Sequence, residues 1–236
     1  MIWNSIYRGG GGGNSLISSL SVGDSVFCNV DGTRTEFLIV HKGNPDASLY
    51  DASCDGVWVL SKYAPNPNYI WYTDGYSNYY EHSTMNTALN NDYFTKIEDV
   101  VKNMIVEAKI PYVGSDIMSS YVAHSGADGL SCHVFLLSTR EVNGAPANSL
   151  SDGSRLDYFS SSNDRIMIAQ SGAQVNWWMR SPDTSTSAAA FIVDSAGGFT
   201  SFNTMYSYQP PSGGATRPAF ILPYTAKTDK DHNIIG

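Results

Sequence analysis

Clustered positive charge is what this chain most plainly lacks. Its 14 Lys and Arg are scattered and outnumbered by 22 Asp and Glu, for a formal net charge of -8. Neutralising a phosphate backbone takes grouped cations, so nucleic acid is excluded as a partner. Cysteine is also scarce. Cys28, Cys54 and Cys132 are too far apart for paired metal ligands, and their odd number does not suit a disulfide framework, so they read as reduced, buried thiols. No apolar run reaches a membrane-spanning length. The N-terminus, Met1 to Arg8, has neither the basic region nor the apolar stretch of a signal peptide, which predicts folding in a cytoplasm. Catalytic motifs are missing too: there is no nucleophile elbow, zinc-protease helix or phosphate-binding loop. The sequence therefore calls for no catalytic residue, metal or cofactor.

What the chain does have is apolar and aromatic substance. Its 236 residues are 42% hydrophobic and include 15 Tyr and 5 Trp, enough for one main domain with a sizeable core. An unbroken glycine run, residues 9 to 13, separates a short aromatic peptide, residues 1 to 8, from the rest. That peptide reads either as an anchor docking on a partner or as a disordered terminus. Asp31-Gly32, flanked by Ser25 to Val30 and Thr35 to His41, predicts a hairpin, and Val57 to Ser61 a further strand. Glu81 to Asn90 reads as a short surface helix. Phe94, Ile97, Val100, Val101, Met104 and Ile105 recur at helical steps and predict an amphipathic helix ended by Pro111. His133 to Ser138 reads as an apolar strand, followed by a capping box, Ser138-Thr139-Arg140-Glu141. Strand signals return at 166–169, 176–180, 188–194, 199–203 and 216–222, with Gly197-Gly198 as a tight turn. The sum is an α+β domain whose termini meet in one sheet, followed by a polar tail, residues 226 to 236.

Two stiff motifs, Trp177-Trp178-Met179-Arg180-Ser181-Pro182 and Thr216-Arg217-Pro218-Ala219-Phe220-Ile221-Leu222, bracket a segment with no Lys, Arg, Glu or His. A buried Arg must be paired or spread its donors over carbonyls, so Arg180 and Arg217 read as scaffold, as do Trp177 and Trp178, whose rings strand alternation sends to opposite faces. On composition alone the bracketed segment reads equally as an adaptable binding face of small hydroxyls and aromatics or as a surface loop between core strands. His41, His82, His124, His133 and His232 are scattered and read as structural. Asn44-Pro45-Asp46 and Asp51 to Asp55 are explained by turn chemistry.

Taken together, Gly43-Asn44-Pro45-Asp46, Leu49 to Trp58, Lys109-Ile110-Pro111-Tyr112, Gly129-Leu130-Ser131, Phe135-Leu136-Leu137-Ser138, the Trp177 to Pro182 motif and Arg217-Pro218-Ala219-Phe220 resemble a family of proteins from gut bacteria and their phages that looks like a branch of the C-type lectin fold. The resemblance covers about residues 20 to 225. Members of this kind are similar to the variable proteins of diversity-generating retroelements, such as tropism determinants on phage tail fibres, in which adenine mutagenesis of a template alters ligand-contacting residues on a fixed scaffold. Carried over by position, the resemblance implies a variable segment at about 183 to 208. Its contacts would be Asp183, Thr184, Ser185, Thr186, Ser187, Asp194, Ser195, Phe199, Thr200, Ser201, Phe202, Asn203, Tyr206, Ser207 and Tyr208, with Met205 and Gln209 fixed. Arg180, Pro182, Arg217 and Pro218 match the fixed frame. The chain lacks the late cysteines of the formylglycine-generating enzymes that share the fold, and it lacks the calcium-dependent sugar motif.

The resulting expectation is a non-enzymatic receptor-binding protein of a phage tail, assembled in the host cytoplasm and acting on the virion. Its partners would be a host cell-surface protein or glycan and, through the N-terminal segment, other virion proteins. A homo-oligomer such as a trimer would add avidity. The rival readings are a structural decoration or baseplate protein and a glycan-active hydrolase.

Overall fold

The computed structural model describes residues 13–64, 69, 71, 78–115, 120–204 and 214–236. The N-terminal peptide (1–8), residues 9–12 of the glycine run, and Met205, Tyr206, Ser207, Tyr208 and Gln209 lie outside the described residues. In chain order the strands begin with β1 (Ser15–Leu16), β2 (Ser25–Val30), β3 (Thr33–Gly43) and β4 (Gly56–Ser61). A helical stretch follows as α1 (Thr84–Ala88), a π turn (Leu89–Tyr93), α2 (Phe94–Lys96) and, after a break, α3 (Asp99–Lys102). Four short strands come next: β5 (Ala108–Ile110), β6 (Tyr112–Gly114), β7 (Val122–His124) and β8 (Leu130–Cys132). The last third carries β9 (Met167–Ile168), β10 (Gln174–Val175), β11 (Trp177–Pro182), β12 (Ala189–Val193), β13 (Phe199–Asn203), β14 (Ala219–Leu222), β15 (Lys227–Thr228) and β16 (Ile234–Ile235). The architecture is α+β, with antiparallel sheets and two helical segments.

The main sheet has the order β14-β4-β3-β2, so β4 lies between a strand from near the C-terminus and the β2–β3 hairpin. At the hairpin turn Asp31 and Gly32 both take positive φ, 51° and 70°. That is the type I′ geometry whose twist matches the flanking strands. A second sheet, β11-β12-β13, is joined to the first by the extended segment 134–137. Phe135 exchanges backbone hydrogen bonds with Ala219 of β14, and the Leu137 carbonyl accepts from the Arg180 amide of β11.

The strands β4, β11, β12 and β14 are buried along their whole length, and alternation along them divides the interior into two cores. One contains Phe37, Ile39, Val57, Val59, Phe220, Ile192 and Trp178, capped by Met85, Leu89, Tyr93, Ile97 and Val101 of the helical stretch. The other contains Leu38, Val40, Trp58, Leu60, Ile221, Phe191 and Trp177, covered by Tyr50, Leu156 and Phe159. Neighbouring tryptophans of β11 thus belong to different cores, and each is fully buried. Fully burying a large apolar side chain stabilises by about 1.5–3 kcal/mol, so both faces of β11 are anchored.

Three sequence expectations are corrected. The helix expected over 94–105 ends at Lys96: Ile97 is extended (ψ 134°) and only one turn, Asp99–Lys102, follows. The backbone there pairs with the end of β2 instead. Asp31 N–H donates to Lys96 O, Glu98 N–H donates to Asn29 O, and the Glu98 carboxylate accepts from the Asn29 amide at 2.8 Å. Segment 133–138 is not a strand, since its polar groups are met largely by side chains: Asn90, Tyr80 and Arg180. Residues 226–236 are not a loose tail. Ala226 and Ile234 are buried, and β15 pairs with both β1 and β16.

Candidate functional site

The frame around the second sheet is built on Arg180. Its five guanidinium hydrogens all have acceptors. Nε donates to Pro111 O, Nη1 to Leu136 O and Glu141 Oε2, and Nη2 to Glu141 Oε1 (2.6 Å) and Asp152 O. Burial alone would lower this group's pKa, but the bidentate Glu141 carboxylate outweighs it and the shift is upward. Glu141 is held in turn by the capping box: Ser138 N–H donates to Glu141 Oε2 at 2.9 Å, and Glu141 N–H to Ser138 Oγ at 3.2 Å. Ser181 Oγ donates to Asp152 at 2.7 Å and accepts from Thr139 N–H at 2.9 Å.

Arg217 is satisfied differently. It is 2% exposed and donates to Ser61 O and Arg165 O while lying 4.7 Å from the centre of the Trp177 ring. Burial pulls its pKa down to about 10, which leaves it protonated at neutral pH. Trp177, Trp178, Pro182 and Pro218 are buried with it.

On this frame lies the loop leading into β12. Its backbone is gripped from outside the segment. The buried Asn78 amide donates to Asp183 O (3.1 Å), Thr186 O (2.9 Å) and Ala189 O (2.6 Å). Tyr121 Oη donates to Thr186 O at 3.0 Å, and Asn148 O accepts from both the amide (2.9 Å) and the hydroxyl (2.8 Å) of Thr184. The side chains of Ser185, Thr186 and Ser187 are exposed, and Thr184 is half-buried.

Asp183 itself is buried. Its Oδ1 accepts from the amide and hydroxyl of Ser185 at 2.9 and 2.6 Å. Burial acts to raise its pKa, but hydrogen bonds from Ser185 and Ser201 leave it lowered. Asp194 is also committed, with Oδ1 accepting from the amides of Ala196 and Gly198 in the β12–β13 turn. Both carboxylates therefore shape turns.

Along β13, Thr200 and Ser201 are exposed, whereas Phe199, Phe202 and Asn203 are half-buried. Phe202 meets Trp178 edge-on at 5.8 Å, and Phe199 lies under Arg165 at 4.8 Å. The sheet brings loop 183–187 beside Ser201 and Asn203, since Asn203 pairs with Ala189. Asp194 and Ser195 sit at the other end of the strands, on the order of 13 Å away at a strand's rise per residue. Sequence reasoning did not find Asn78, Tyr121 or Asn148. Their partners are tens of residues away, and no local pattern marks them.

Nothing else among the described residues forms a reactive constellation. No group of three His, Cys, Asp or Glu is placed to hold a metal. Asp46 and Asp51 accept from the Ser48 and Ser53 amides in turns. His41 Nδ1 lies 2.8 Å from Asp157, and burial nonetheless lowers its pKa. Burial pushes the Cys28 and Cys54 thiols up to about 12, and all three cysteines are unbridged.

Residues 55–224 match the family described as Domain of unknown function (DUF6273). The chain belongs to the DUF6273 family. The DUF6273 match runs from the start of β4 to just past β14 and takes in the whole frame, and its two end residues touch, Tyr224 Oη donating to Asp55 at 2.7 Å. No curated protein and no solved structure matches the chain.

Proposed function

We propose that this DUF6273 protein is a non-enzymatic receptor-binding protein with a C-type-lectin-like fold, displayed on a phage tail, and that its loop and edge-strand face contacts a host cell-surface protein or glycan. The observation that carries the reading is the division of labour in loop 183–189. The backbone is fixed by Asn78 and Tyr121, while the side chains at 185–187 point into solvent. Such a loop keeps its shape when its side chains change, which is what a retroelement-diversified surface requires.

Among the described residues the contacts then narrow to Thr184, Ser185, Thr186, Ser187, Ser195, Thr200 and Ser201, with Phe199, Phe202 and Asn203 at the margin, and Tyr206, Ser207 and Tyr208 stay in the set. Asp183 and Asp194 serve as turn formers. Small hydroxyls give weak single contacts, so adhesion rests on several copies, a homo-oligomer such as a trimer, held on the virion through the N-terminal segment.

Sequencing the gene across a natural population tests the proposal. Substitutions concentrated at the exposed positions between 183 and 208 and at adenine-containing codons are expected, with Asp183 and Asp194 retained. An even spread of substitutions over the chain would overturn it.

A further inference from the structure

Away from the loop and edge strand, a cleft of about 680 Å³ opens between the tip of the β2–β3 hairpin and the tip of the β9–β10 hairpin. Tyr93 and Tyr69 line it from the helical side, Phe27 and Arg34 from one hairpin, and Ile168 and Gln170 from the other, with Tyr63 on a further wall. None of these residues belongs to the 183–203 face. The volume lies within the range of small-molecule sites, about 300–1,000 Å³.

The chemistry of the walls restricts the ligand. Aromatic and flat surfaces recur: Tyr63, Tyr69, and the Arg34 guanidinium stacked 3.5 Å over the Phe27 ring. Polar groups alternate with them, among them Asp31, Thr33, Thr35 and Gln170. The cations at the rim are engaged. Lys96 pairs with Asp92 at 2.7 Å and Arg34 donates to the neutral Asn233 Oδ1 at 2.9 Å, while the lining carboxylate of Glu36 is paired with Lys62 at 2.8 Å. A phosphate or carboxylate would meet the lining carboxylates of Asp31 and Glu36 as well as the cations. A purely apolar ligand would strand the hydroxyls and carboxylates. Tyr93 is 1% exposed, and its hydroxyl is buried without a hydrogen-bond partner.

Flat aromatic faces beside hydrogen-bonding groups, with two carboxylates (Asp31, Glu36) balanced by two cations (Arg34, Lys96), suit an uncharged polyhydroxylated ring. We infer that the cleft is a second binding site, separate from the diversified face, for a segment of neutral oligosaccharide. Its sugar rings lie against Tyr63 and Tyr69, and their hydroxyls bond Gln170, Thr33 and Asp31.

Isothermal titration calorimetry on the full chain with cellohexaose, maltohexaose, mannohexaose and chitohexaose, and with hexagalacturonate as the anionic control, tests the inference. At least one neutral hexamer is expected to bind saturably with a Kd on the order of 1 mM or tighter, and hexagalacturonate at least tenfold more weakly. Tyr63→Ala and the exposed Gln170→Ala should each weaken that binding at least tenfold with an unchanged circular dichroism spectrum. Ser187→Ala, on the other face, should leave it unaltered. No saturable binding by any neutral hexamer, preference for the anionic one, or binding that survives both cleft variants overturns the inference. Because the cleft and the 183–203 face share no residue, that failure leaves the receptor-binding proposal standing, and the reverse holds too.

Discussion

Asp152 is a carboxylate held against its own ionisation. It is fully buried, its Oδ2 accepts from Ser181, its Oδ1 has no partner, and burial lifts its pKa from 3.8 to about 6. In the unfolded chain the same group titrates near its ordinary value. Between roughly pH 4 and 6 the folded state therefore binds more protons, and this residue takes stability away as pH rises through that window, by up to about 3 kcal/mol. Asp152→Asn should remove the effect. In urea titrations the variant should gain on the parent steadily from pH 4 to pH 6 and hold the gain above it, and a pH-independent difference would refute this. Carboxylates such as Asp46 and Asp229, whose pKa values are lowered by hydrogen bonds, give the opposite slope but are common to both proteins and subtract out.

Turns decide how well β12 and β13 are set. Gly197 has φ +82°, and a Cβ there would stand 2.1 Å from the Ser162 carbonyl oxygen. Gly197→Ala should thus cost roughly 1–3 kcal/mol in chemical denaturation, whereas Ser195→Ala, two residues earlier and exposed, should stay within about 0.5 kcal/mol. Elements of this local kind were legible in the sequence. The Asp31-Gly32 hairpin, the Ser138 to Glu141 capping box and strand 199–203 each follow from a few adjacent residues. Where a distant partner competes, the local signal failed. The helical period from Phe94 to Ile105 is real, yet pairing of residues 96–98 with the end of β2 broke it, and Asn90, Tyr80 and Arg180 took the hydrogen bonds that would have made 133–138 a strand.

At the scale of the whole molecule, the first and last described segments close one side of the fold. Ser15 pairs with Thr228, the Phe27 amide donates to the His232 carbonyl, and Ile234 is buried. Deleting residues 226–236 should lower Tm by at least about 5 °C in a thermal melt, since losing even two buried apolar groups is worth several kcal/mol in a chain of this size. An unchanged Tm would mean that the segment contributes nothing. The candidate face was legible only in outline. The bracketing Arg-Pro motifs and the soft segment between them stand out in the sequence, but the commitment of Asp183 and Asp194 to turns does not, because an Asp in a turn and an Asp in a binding surface look alike along the chain. The Asn78 side chain, finally, reaches carbonyls 105, 108 and 111 residues further on. Contacts so remote form only after most of the chain has been brought together. Loop 183–189 consequently takes its shape late, and its ordered form reports that the domain beneath it is complete.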